Sequence, residues 1–455
     1  MDEEYILKAQ TEFFNSHITL ETDIRLKHLK NLKQIIKKSE KQIVDALLSD
    51  LGKGSFEAYS SEIGLVQHEL TTHIRNLKRW ARPKRVRTPL HAFPSLSFVT
   101  RQPYGRVLII SPFNYPFMLA LAPLVGAVSA GNVVVIKPSE LTPKTSEIIA
   151  EIIRQVFEPK YIAVVQGGVE ASRKLLAQKW DKIFFTGSSR VGKIVMEAAT
   201  RHVTPVVLEL GGKNPVVVDK DANLKIAARR IVWGKLLNAG QSCVAPDYLY
   251  VHNEVKEQFL QLMVNSIKQF FSDPHNNRDY TGIVNEAAVR RLAGLLNDVT
   301  VYYGGQSNTE KRFMGPTLLT NVTRDSAVMQ EEIFGPVLPV IGFNELSEVV
   351  DEINNSEKPL AAYYFSENRI NQKFFLRFTF SGDAMINDVV LHFTNHTLPF
   401  GGVGNSGIGS YHGKRSFDVF SHERSVMKTS TKLDIPLRYP PYKKWISKLI
   451  RFLLR

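Results

Sequence analysis

One cysteine, Cys243, is all that 455 residues contain, which excludes an internal disulfide framework and fits a reducing compartment. No apolar run reaches the ~20 residues needed to span a bilayer, and no solenoid-type period recurs. The opening residues Met1-Asp2-Glu3-Glu4-Tyr5 are acidic and lack the apolar stretch behind a basic start that marks a secretory signal, so the expected location is the cytoplasm. Acids are also missing from two stretches. Residues 75 to 87 carry Arg75, Lys78, Arg79, Arg82, Lys84, Arg85 and Arg87, and residues 443 to 455 carry Lys443, Lys444, Lys448, Arg451 and Arg455. They account for much of the formal net charge of +14, a field that attracts nucleic acid, anionic lipid or acidic substrates. Over 75 to 87 the simpler reading is a solvated face, and no nucleic-acid partner is expected.

A chain of this length exceeds what one core supports and implies two or three domains, with an ordinary hydrophobic fraction of 44%. Residues 1 to 80 read as mainly helical. From about residue 106, short β-branched runs (Val107 to Ile110, Val133 to Ile136, Tyr161 to Val165, Lys182 to Phe185, Val206 to Leu210) alternate with helix-like stretches, the pattern of a parallel α/β sheet. One helix start is explicit: Thr142 is placed to cap and Pro143 to occupy the first turn before an apolar face of Ile148, Ile149, Ile152 and Ile153. A second α/β region follows Gly211, and the glycines of Pro399 to Gly409 imply a loop near its end.

Six short segments carry candidate chemistry. Cys243, in Asn238-Ala239-Gly240-Gln241-Ser242-Cys243-Val244-Ala245-Pro246, has small neighbours that leave room for a nucleophile, although most free cysteines are small buried hydrophobes. Thr186-Gly187-Ser188-Ser189-Arg190-Val191-Gly192-Lys193 follows a strand and opens a helix, a setting for phosphate. It nearly matches the P-loop, but Ile194 has no hydroxyl for Mg²⁺, which disfavours an NTPase, and the G-x-G-x-x-G pattern fails. Lys137 and Glu140 end another strand, where side chains meet ribose hydroxyls or only solvent. Glu209, between Leu208 and Leu210 ahead of Gly211-Gly212, is either a desolvated base or the partner of a nearby Lys or Arg. Asn114, in Pro112-Phe113-Asn114-Tyr115-Pro116, is an oxyanion donor or simply bonds its own turn. Glu332 and Phe334 precede Gly335-Pro336 and read equally as a site or as an ordinary turn with a buried Phe.

The order and wording of these blocks resemble the aldehyde dehydrogenase superfamily, from Pro112-Phe113-Asn114 through Lys137-Pro138-Ser139-Glu140, Phe185-Thr186-Gly187-Ser188, Glu209-Leu210-Gly211-Gly212-Lys213, Gly240-Gln241-Ser242-Cys243 and Glu332-Ile333-Phe334-Gly335-Pro336 to Pro399-Phe400-Gly401-Gly402. The short N-terminus and Asn405 to Lys414 resemble its class 3 branch, which includes fatty aldehyde dehydrogenases. The resemblance implies NAD(P)-dependent oxidation of medium or long-chain aliphatic or aromatic aldehydes to acids. Cys243 would be the nucleophile, Asn114 the oxyanion donor and Glu209 the base, with no metal. Lys137 and Glu140 would bind the adenosine ribose, Gly187, Ser188 and Gly192 the pyrophosphate segment, and Glu332 and Phe334 the nicotinamide end. Glu140 favours NAD over NADP by repelling a 2′-phosphate, within a branch that uses both.

The implied fold is α/β: a Rossmann-like NAD(P)-binding domain over 1–82 and 101–208, an α/β catalytic domain over 209–386, and a small bridging element over 83–100 and 387–432 that implies a homodimer. Residues 433–455 form a basic tail. Helical spacing there sets Trp445, Leu449, Phe452 and Leu453 opposite Lys444, Lys448, Arg451 and Arg455. Such a helix lies on an anionic membrane surface or packs on the protein; the two readings stand level. The rival functions are a CoA-acylating dehydrogenase and a non-catalytic basic binding protein on the same fold. Glu209 favours hydrolysis over the first, and the set Cys243, Asn114 and Glu209 argues against the second.

Overall fold

Strands that are apolar on both faces need cover on both sides, and a parallel sheet wrapped by helices provides it. The computed structural model describes residues 3–435 and 438–453. Met1, Asp2, Leu454 and Arg455, and the side chains of Glu3, Leu449 and Leu453, lie outside the described residues, so the expectations placed on them are not followed further. The first sheet has six strands in the order Gly407–Ile408, Val206–Leu210, Lys182–Gly187, Arg106–Ile110, Val133–Lys137 and Ile162–Val164. All are parallel except Gly407–Ile408, which runs antiparallel with Gly407 opposite Glu209. The chain thus starts this sheet at Arg106–Ile110, builds outward on one side, then returns to the other. That reversal opens a crevice between Arg106–Ile110 and Lys182–Gly187 at their carboxyl ends.

A second sheet of seven strands runs in the order Thr300–Tyr303, Thr317–Thr320, Val337–Phe343, Tyr248–His252, Pro215–Val218, Ala361–Phe365 and Asp383–Ile386. A third, antiparallel sheet joins Lys84–Val86, Ser95–Pro103 and Ser421–Thr429. Five α-helices fill the N-terminal region up to Trp80, and all seven basic side chains of residues 75 to 87 are exposed. The helix Pro116–Ala130 is buried along its whole length, as its nearly unbroken apolar sequence requires. Pro116 begins this helix rather than extending the turn before it, because a first-turn proline forfeits no hydrogen bond.

Two local expectations change. Thr142 stands at the cap position of the helix Pro143–Val156, but its hydroxyl makes no cap bond and is buried without a partner. The cap comes from Asp50: its carboxylate accepts from the Lys144 N–H at 3.2 Å and from the Thr145 N–H and hydroxyl at 2.7 and 2.8 Å. A full negative charge suits the positive helix end better than a hydroxyl. The Gly-rich segment is also not wholly loop, since Gly407–Ile408 completes the first sheet.

In the tail, Lys444–Leu453 is helical. Ile446 is buried, and the helix lies against the short turn Leu90–Ala92. Trp445 and Phe452 remain 54% and 77% exposed. Residues one apart lie about 100° round a helix, so one edge of a wide apolar arc seats on the protein and the other faces solvent. No described helix is long and apolar enough to cross a membrane.

Candidate active site

The crevice at the sheet reversal leads into a cavity of about 210 Å³. Strand ends of the first sheet supply Phe113 and Asn114 on one side and Thr186, Gly187 and Ser188 on the other; Glu209 and Gly211 form the floor, and Cys243, Glu332 and Phe334 approach from the second half of the chain. Seven predicted site residues therefore meet in one place: Asn114, Gly187, Ser188, Glu209, Cys243, Glu332 and Phe334. Lys137 and Glu140 lie apart from this cavity, at the carboxyl end of the neighbouring strand. They pair at 2.7 Å, with Lys137 buried and Glu140 41% exposed. Gly192 is not on the cavity wall. It lets the helix Ser189–Thr200 close on the sheet, since a Cβ there would stand 2.6 Å from Leu210.

Cys243 and Glu209 touch. The thiol donates to Glu209 Oε1 at 3.3 Å. Burial raises the Glu209 carboxyl to about 7, and no Lys or Arg pairs with it among the described residues. The Thr186 hydroxyl, on the register partner of Glu209, eases that shift without closing a hydrogen bond. Burial and the Glu209 charge together push the Cys243 thiol well up. A thiolate in this setting needs a carrier for its proton, and the neighbouring carboxylate is one.

The Cys243 segment is held rigidly. Its carbonyl accepts from Asn214 Nδ2 at 2.6 Å, and the turn before it places Asn238, Ala239 and Gly240 at positive φ. Gly240 is obligatory here, because a Cβ would meet the Gly335 carbonyl oxygen at 2.2 Å. Glu332 lies against Gly211 closely enough that a Cβ there would stand 2.1 Å from its Oε2. Burial, helped by the Asp247 charge, raises Glu332 to about 8. Phe334 has φ 49° and packs edge-on to Phe113 with ring centres 5.8 Å apart, so its turn is not an ordinary one. Ser188 caps the helix Ser189–Thr200 through Val191 N–H at 3.4 Å, and the helix start lies at the carboxyl end of the strand Lys182–Gly187, a setting that suits an anion.

The Asn114 side-chain amide lines the cavity and donates to no group among the described residues. Its own turn is held through the backbone carbonyl instead, which accepts from Lys53 Nζ at 3.1 Å and Asn238 Nδ2 at 2.9 Å. Sequence reading misses Lys53, Asn214 and Asn238. Asn214, beside Gly211-Gly212-Lys213 at a strand start, and Asn238, at the head of the Cys243 segment, lie in sequence motifs that gave them no role of their own; Lys53 lies in none.

A model of the aldehyde dehydrogenase family matches residues 2–426. The chain is 46% identical over 435 residues to 4,4'-diaponeurosporen-aldehyde dehydrogenase of Staphylococcus aureus, covering 95% of each protein. It is 44% identical over 438 residues to the dimeric NADP-preferring aldehyde dehydrogenase of Rattus norvegicus, covering 96% of this chain and 97% of that one. Among solved structures it is similar to the substrate-bound state of Staphylococcus aureus AldH, with a TM-score of 0.98 at 44% identity over 100% of both chains.

Proposed function

The chain belongs to the aldehyde dehydrogenase family, and from that premise we propose that Cys243, Glu209 and Asn114 divide among them the oxidation of an aldehyde to its carboxylic acid. The enzyme is an NAD(P)-dependent aldehyde dehydrogenase. The observation that carries the assignment of roles is the thiol of Cys243 donating to the desolvated carboxylate of Glu209 on a cavity wall that also bears the free Asn114 amide.

Glu209 takes the Cys243 proton, and the thiolate attacks the aldehyde carbon. A C–S bond forms, the carbonyl π pair moves onto oxygen, and the Asn114 amide with the Cys243 N–H holds that oxyanion. A bound nicotinamide would supply the acceptor for the hydride that the carbon must lose for the thioester to form. Glu209, having shed its first proton, takes one from water as the water adds to the thioester; the C–S bond then breaks and the acid departs. Glu332 is a second carboxylate beside the thioester.

The residues present fit a dinucleotide at the sheet reversal, where a helix N-terminus and strand ends converge. Lys137 and Glu140 would hold the adenosine ribose, Gly187 and Ser188 the pyrophosphate, and Glu332 and Phe334 the nicotinamide ribose and ring. Gly192 serves that site through helix packing. Substrates are assigned as medium or long-chain aliphatic, or aromatic, aldehydes. Neither the CoA-acylating reading nor the non-catalytic one gains support.

We divide the chain functionally into 1–82 with 101–208 for the cofactor, 209–386 for catalysis, 83–100 with 387–432 for bridging, and 433–455 as the tail. The outer strands Lys84–Val86 and Ser421–Thr429 each leave an edge unpaired, which supports a homodimer; light scattering at the monomer mass would count against it. Exposed Trp445 and Phe452 beside Lys444, Lys448 and Arg451 support reversible contact with an anionic membrane surface. The test of the catalytic reading is an aldehyde panel with either cofactor, followed by absorbance of the reduced nicotinamide. Loss of turnover in Cys243→Ala is expected, and undiminished turnover would overturn the mechanism.

A further inference from the structure

Lys53 and Glu62 form an ion pair at 2.5 Å with neither side chain exposed to solvent. Such a pair is expensive to bury and repays the cost only when further hydrogen bonds satisfy it, so its remaining bonds indicate what it is for. Glu62 Oε2 accepts from the N–H groups of Phe117 at 2.9 Å and Met118 at 3.2 Å, the first turn of the helix that follows Asn114. Lys53 Nζ donates to the Asn114 carbonyl at 3.1 Å and stands 4.4 Å from the centre of the Tyr115 ring. Both charges therefore act on one short piece of backbone, Asn114 to Met118. Glu62 itself sits in a π-helical turn, Tyr59–Ile63, an irregularity that often re-aims a side chain at functional sites.

The same carbonyl has a second donor. Asn238 Nδ2 reaches it at 2.9 Å and also reaches the Gln241 carbonyl at 3.0 Å, two residues before Cys243. A carbonyl fixed by two buried donors has a fixed peptide plane, and the plane sets where the attached Asn114 side chain can point. From these contacts we infer that the Lys53–Glu62 pair is a positioning device that holds the Asn114 amide in register with Cys243. The inference rests on the oxyanion role given to Asn114 above.

The test uses the full-length enzyme. Removing one charge leaves the other buried without a partner, so the primary variant is the double substitution Lys53→Met/Glu62→Gln; Glu62→Gln alone, which keeps an acceptor for the helix N–H groups, is the second. The expected result for both is a fall in kcat of about tenfold to a hundredfold, the range for a misplaced catalytic group, with KM for the cofactor unchanged. Alkylation of Cys243 by iodoacetamide, a displacement that forms no oxyanion, should keep its wild-type rate. In an Asn114→Ala background the double substitution should cost nothing more, because residues acting as one unit are not additive. Wild-type kcat in both variants, a matching loss of alkylation rate, or an equal loss in the Asn114→Ala background would each overturn the inference. Wild-type kcat in Asn114→Ala alone would instead sink the oxyanion assignment.

Discussion

The sulfur of Cys243 lies 3.3 Å from Oε1 of Glu209, and this contact ties the segment leading into the seven-stranded sheet to a strand of the six-stranded one. Two side chains whose charged forms are both disfavoured by burial share one proton between them. On the roles proposed for them, reactivity would follow the carboxyl rather than the thiol.

With Glu209 raised to about 7, its proton-accepting form is populated only as pH climbs through that value. kcat/KM should rise along a limb with an apparent pKa near 7 and level off above it. Glu209→Gln should abolish the limb and lower kcat by about 10²- to 10⁴-fold. A pH–rate profile checks this, and a Gln variant that kept the limb would place the base elsewhere.

The same burial has a stability signature. The folded state holds the Glu209 proton more tightly than an unfolded chain, whose carboxyl titrates near 4.5. This contribution is fully present below pH 4.5 and is lost as pH rises through about 7, at a cost of about 3 kcal/mol. Glu209→Gln should therefore gain in Tm over the parent at pH 8 and lose that advantage near pH 5. A gain of the same size at both pH values would show the carboxyl to be solvated.

Glu140 faces solvent more than Lys137 does and neutralises it at 2.7 Å. Substituting Gln removes the repulsion toward a 2′-phosphate and frees the lysine to attract it. The ratio of kcat/KM for NADP to that for NAD should rise by about tenfold in Glu140→Gln, measured with one aldehyde at saturation. An unchanged ratio would put the adenosine ribose somewhere else.

Asp50 caps a helix that begins more than ninety residues later. Asp50→Ala leaves the first-turn N–H groups of Pro143–Val156 without an acceptor and should cost about 2 kcal/mol, read as a lower denaturation midpoint. Thr142→Ala should cost far less, since its hydroxyl bonds nothing; a larger loss there than at Asp50 would contradict the geometry.

Deleting residues 441 to 455 removes Trp445, Phe452 and the basic side of the last helix. Co-sedimentation with anionic vesicles should drop, and added salt should weaken binding of the intact chain. Unchanged sedimentation after the deletion would end the membrane reading.

What the sequence reveals and what it hides divide along chain distance. Cys243, Glu209, Asn114 and Glu332 each sit in a local signature that leaves two readings open (a small-residue turn, a strand end before paired glycines, a proline-bounded turn, a Gly-Pro stop), and only the order of these blocks, as a family resemblance, singles them out. Their partners are not singled out. Lys53 and Glu62 reach Asn114 and Phe117 across 61 and 55 residues, and Asp50 reaches Thr145 across 95. No spacing rule marks such contacts, because they are made by packing. Thr142 shows the converse: a correct helix start read from local chemistry, with the wrong side chain doing the capping. The tail helix was likewise legible as amphipathic, while the side it would turn to the protein depended on a neighbour, Leu90–Ala92, more than three hundred residues away in sequence.

Gly407 hydrogen-bonds across from Glu209 in the first sheet, and the Leu210 N–H donates to the Ser406 carbonyl at 3.1 Å. The strand that carries Glu209 is thus closed along its outer edge by a segment almost two hundred residues later in the chain. A change at Gly407–Ile408 would bare that edge, and so would reach the active site without touching a reacting group.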